Sequence, residues 1–79
     1  MSRIIDGNEK NIIGKNVRKF RIEKKLSQQQ LSDKLETIAV YICRGSVSRI
    51  EERSRTVTEI ELWGLSQILD KPIESFFED

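Results

Sequence analysis

No cross-link holds this chain together, because its 79 residues include one cysteine and no histidine. A lone thiol forms no internal disulfide, and the common zinc-ligand sets cannot be assembled from such a composition. Neither a metal nor a cofactor is expected. A chain of this length makes one domain with a modest core, so its stability has to come from close packing of short helices, with a second copy of the chain as the remaining support. No apolar run approaches the ~18 residues of a membrane span, and residues 1–10 lack the charged-then-apolar layout of a secretory signal. A soluble, cytoplasmic protein with no membrane partner is expected.

Helical periodicity runs through most of the sequence. A first helix is predicted over about Asn11–Lys25, where Ile13, Val17 and Phe20 form one apolar stripe. A second is predicted to begin after Ser27, a good N-cap, with Gln30 three residues on to close a capping box; Leu31 and Leu35 face inward and Ile38 extends the face. A short third helix is predicted over about Arg44–Glu52, with Val47 and Ile50 inward. Thr58 with Glu61 announces a fourth, which carries Ile60, Leu62, Leu65, Ile68 and Leu69. Pro72 suits the first position of a fifth, followed by Ile73, Phe76 and Phe77. The fold class is all-α: five short helices over residues 11–79, preceded by a flexible arm over residues 1–10. The run Ile38–Cys43 favours β structure, but a lone strand would have no partner.

The net charge of +1 hides a gradient. Residues 1–25 carry +5, residues 26–55 carry +1 and residues 56–79 carry −5. Such asymmetry suits one face turned to an anionic partner and another turned away from it, although charge runs are also what solvated faces look like.

The run Leu26-Ser27-Gln28-Gln29-Gln30-Leu31-Ser32-Asp33-Lys34-Leu35, with the later Val47-Ser48-Arg49-Ile50-Glu51, resembles the Cro/repressor (XRE) family of helix-turn-helix regulators. The first-helix pattern with Gly14, Val17, Phe20 and Arg21, the fourth-helix pattern with Glu61, Leu62, Leu65, Ile68 and Leu69, and the closing Ile73, Phe76 and Phe77 also fit, so the likeness extends from about Ile13 to Phe77. It implies a lambda-repressor-like domain whose helix-turn-helix is formed by helices two and three, with the third helix in the major groove of double-stranded DNA. By this resemblance Arg44, Gly45, Ser46, Ser48 and Arg49 contact bases, and arginine can pair bidentately with guanine. Gln28, Gln29, Lys15, Lys24, Arg53, Ser54 and Arg55 contact the DNA backbone, with Lys10 a further basic neighbour. Arg21 and Glu51 match positions that form a partly buried ion pair, the breaking of which costs ~3–5 kcal/mol. The resemblance also implies a homodimer, with Trp63, Ile73, Phe76 and Phe77 as the contact residues, in a bacterial or phage-type, nucleoid-associated setting.

Three departures stand out. The connector Glu36–Cys43 is about five residues longer than the family's tight turn and matches a subgroup with a longer connector; it reads as an extra helical turn followed by a packed extended segment. Gly45 stands where relatives put a side chain into the groove, so the position is either silent or kept for close backbone approach. Glu52-Arg53 replaces a common Asn-Gly cap, so helix three is expected to run on or end less sharply. Cys43, beside Arg44, is open to two readings: a redox-responsive thiol or a small residue filling a semi-buried cap position.

Enzymatic function is disfavoured, since the chain offers no histidine, no nucleophile with a base, no glycine-rich phosphate loop and no room for a deep pocket. No small-molecule ligand is evident. A sequence-specific regulator, a repressor, is the leading reading. The alternative is a protein–protein module on the same fold, such as an antitoxin or anti-repressor.

Overall fold

A computed structural model describes residues 9–79. The predicted arm lies almost wholly outside the described residues; Glu9 and Lys10, at its end, meet Arg53 through an ion pair of 3.1 Å and a backbone hydrogen bond from Lys10 N to Arg53 O of 2.8 Å. Four α-helices follow among the described residues: α1 (Gly14–Glu23), α2 (Gln28–Glu36), α3 (Arg44–Glu51) and α4 (Glu59–Leu69). A 3-10 helix, Ile73–Phe77, closes the chain. No helix among the described residues is long and apolar enough to cross a membrane.

Side chains set the starts of α2 and α4. Ser27 Oγ accepts from Gln30 N while the Gln30 side chain accepts from Ser27 N, and Thr58 and Glu61 repeat this reciprocal arrangement at α4. Helix α1 is shorter than the predicted Asn11–Lys25. Asn11 is instead a buried hook: its Oδ1 accepts from Ile13 N and Gly14 N, and its Nδ2 donates to the carbonyls of Ile50 and Arg55.

The helix ends share one solution, which the sequence does not announce. Lys25, Ala39, Arg53 and Asp70 all adopt left-handed backbone, with φ of 58°, 63°, 63° and 58°. After each, the next amide reaches back five residues, as in Leu26 N to Arg21 O and Ser54 N to Arg49 O. This is the Schellman closure usually given to glycine. It corrects the expectation for α3: Arg53 takes the glycine conformation, so the helix stops at Glu51 with Glu52 as its C-cap. The fifth element is likewise corrected, being a 3-10 helix with Pro72 at the N-cap rather than the first helical position.

The connector carries α2 one further turn to Ala39, then runs extended to Cys43, with no strand pairing among the described residues. Val40 and Ile42 are buried, and Ser32 Oγ donates to Ile42 O at 2.6 Å. Ile13, Val17 and Phe20 of α1 pack with Leu31, Leu35, Val47, Ile50, Leu65, Leu69 and Phe76 in one core. Phe76 is fully buried, its ring edge-on to Phe20 at 5.1 Å, which removes it from any surface contact between copies. Its place is fixed by Asn16, whose Nδ2 donates to Phe76 O and Glu78 O. Trp63, Ile73 and Phe77 remain exposed, as does Ile60 of α4.

Candidate nucleic-acid interface

Helix α3 presents its residues in a fixed direction because Val47 and Ile50, each 1% exposed, anchor its inner face. Its C-terminal end is held by Asn11 and by backbone contact with α1, where a Cβ on Gly14 would overlap the Ile50 carbonyl oxygen. Helix α2 is tied to it by a polar cluster. Arg21 binds Glu51 through two hydrogen bonds of 2.6 and 3.1 Å, the Glu51 side chain being 3% exposed. Gln28 Nε2 donates to the same carboxylate at 3.1 Å, and Arg21 also donates to Leu26 O. The carboxylate thus joins α1, α2 and α3. Gln28, whose place at the first turn of α2 pointed to DNA, has its amide committed to this cluster.

Outward from the core, Arg44 and Arg49 are exposed while Gly45, Ser46 and Ser48 are half-buried. Arg49 Nη2 donates to Ser46 Oγ at 3.2 Å, and Ser48 Oγ to Glu52 Oε2 at 3.4 Å. A Cβ on Gly45 would meet only the Arg49 guanidinium, at 3.7 Å, so nothing within the fold requires glycine there. Cys43 is the N-cap of α3 and is exposed, which corrects the semi-buried reading. Its thiol is pulled below its ordinary range chiefly by hydrogen bonding to the Ser46 hydroxyl and backbone, with a smaller contribution from the Arg49 charge.

The residues predicted to touch the DNA backbone are scattered. Gln29 is exposed and bonded to Asp33 at 2.9 Å, and Lys15 is exposed on α1. Arg53 pairs with Glu9, Arg55 forms a two-pronged pair with Glu61, and Ser54 Oγ donates to Arg49 O. Lys24 lies beside Lys34, Thr37 and Gln67, in a groove between α2 and α4 apart from α3. Asn11, Asn16 and Ser32 escaped the sequence reading. Only Asn16 left a signal, since it stands at i+3 from Ile13 on the apolar stripe of α1.

Comparison with known families gives a match to helix-turn-helix over residues 17–76, which takes in α2, the connector, α3 and α4 whole. No curated protein matches the chain.

Proposed function

This chain belongs to the helix-turn-helix family of XRE type, a family of DNA-binding regulators, and from that premise we propose that it is a sequence-specific transcriptional repressor acting in the cytoplasm. It binds double-stranded DNA as a homodimer, with α3 in the major groove and half-sites ~34 Å apart. The observation that carries this reading is the outer edge of α3: Arg44, Gly45, Ser46, Ser48 and Arg49 stand on a helix immobilised by the core and by the Arg21–Glu51 pair. Arg44 and Arg49 supply the base readout. Lys15 and Lys24 supply backbone contacts, joined by Gln28, Gln29, Arg53, Ser54 and Arg55 where DNA draws them from their present partners. Exposed Trp63, Ile73 and Phe77 are the apolar residues available for the contact between copies.

Selection of bound sequences from a random duplex pool tests the reading. A recurring motif with two-fold symmetry is expected. A pool that emerges unenriched contradicts sequence-specific binding, and a motif without symmetry contradicts the dimer.

A further inference from the structure

Along the connector the side chains alternate. Val40 and Ile42 are 3% and 4% exposed, whereas Tyr41 is 76% exposed and Cys43 follows it on the outer side. The alternation is fixed rather than loose, because Val40 N is bonded to Leu35 O and Ile42 O accepts from Ser32 Oγ. Tyr41 is therefore held outward by the burial of both its neighbours. Its hydroxyl has no partner among the described residues. A groove of about 440 Å³ places it with Gln29 of α2 and with Cys43 and Ser46 at the start of α3. The outer edge of the connector thus continues the edge of α3, and a large half-polar side chain stands on it without serving the fold.

We propose that Tyr41 is a further DNA contact: its ring lies against the sugar–phosphate strand at the border of the major groove, and its hydroxyl donates to a phosphate oxygen flanking each half-site. The local field explains why a phenol suits this position. Asp33 and Glu36 line the same groove, so a lysine or arginine at position 41 would be drawn back onto them. A neutral donor keeps its hydrogen for the phosphate. The same carboxylates repel a phosphate that entered the groove, which directs the strand over the Tyr41–Cys43 edge. The contact positions the domain and adds affinity without choosing sequence. It rests on the DNA-binding reading above and accounts for part of what the long connector does.

The test compares the wild-type chain with Tyr41→Phe and Arg49→Ala on a selected duplex and on a scrambled one, by equilibrium binding and by phosphate-ethylation interference. Tyr41→Phe is expected to weaken both complexes by about tenfold, the scale of one hydrogen bond to a charged acceptor. It should also erase one interfering phosphate per half-site and leave the salt dependence unchanged, since no cation is lost. An affinity and interference pattern identical to wild type, while Arg49→Ala still loses specific binding, overturns the Tyr41 contact alone. A wild-type chain that binds neither duplex overturns the DNA reading together with it.

Discussion

A methyl group added at Gly14 would collide with backbone of α3, whereas one added at Gly45 would find only the movable end of Arg49. The first glycine is required by the fold, and the second is not. In a helix interior a glycine destabilises by roughly 0.5–1 kcal/mol relative to alanine; Gly45, in the first turn of α3, carries a smaller cost, which the fold does not recover from its own contacts. Close approach of the α3 backbone to DNA is what would justify it. Gly45→Ala should therefore raise unfolding stability by up to about 0.5 kcal/mol in urea titration while weakening DNA binding. A variant both more stable and equally tight would leave Gly45 without a role in the interface. The apolar residues Val17, Leu31 and Ile50 were legible because they recur at helical spacing. The long-range bonds of Asn11 and Asn16 were not, since the partners Ile50, Arg55 and Phe76 lie 39 or more residues away in sequence.

Helix starts and helix ends differ in how much of them a sequence shows. The capping boxes at Ser27 and Thr58 are side-chain devices and can be read directly. The ends are backbone devices, and here four residues that are not glycine adopt the left-handed conformation at a cost of about 1 kcal/mol each. Lys25→Gly removes that strain at an exposed site and is expected to stabilise the fold by about 1 kcal/mol, seen as a higher midpoint in urea. An unchanged or lower midpoint would mean that the extra freedom of glycine in the unfolded chain cancels the gain. The start of α4 adds a pH dependence. Burial pushes the Glu61 carboxyl up, but hydrogen bonds from Arg55 and Thr58 together with the Arg55 charge hold it below its ordinary value near 4.5. A carboxyl depressed in the folded state contributes above its unfolded value, and the contribution disappears as pH falls through the folded one. Glu61→Gln should thus be less stable than wild type by about 1 kcal/mol at neutral pH, with the gap closing towards pH 3. A gap that stays constant across this range would show that Glu61 acts through shape rather than charge.

Across the whole molecule, the family pattern located α3, whereas the charge gradient, with its +5 in residues 1–25, did not, and neither showed how the helix is held. The long connector is a turn to Ala39 and an extended run packed by Val40 and Ile42, so the direction of α3 depends on core contacts as well as on the Arg21–Glu51–Gln28 cluster. Phe76, predicted to face another copy, is the plug of that core, because two adjacent phenylalanines in a 3-10 turn cannot face the same way: Phe76 turns in and Phe77 out. With the fold braced at both ends of α3, loss of one outward side chain should alter recognition without altering structure. Arg49→Ala tests this most directly when its binding is measured against every single-base variant of a selected site. Discrimination is expected to fall by roughly 1–3 kcal/mol at one base pair per half-site and to persist elsewhere. An equal loss on all sequences would contradict it and reduce Arg49 to a phosphate contact.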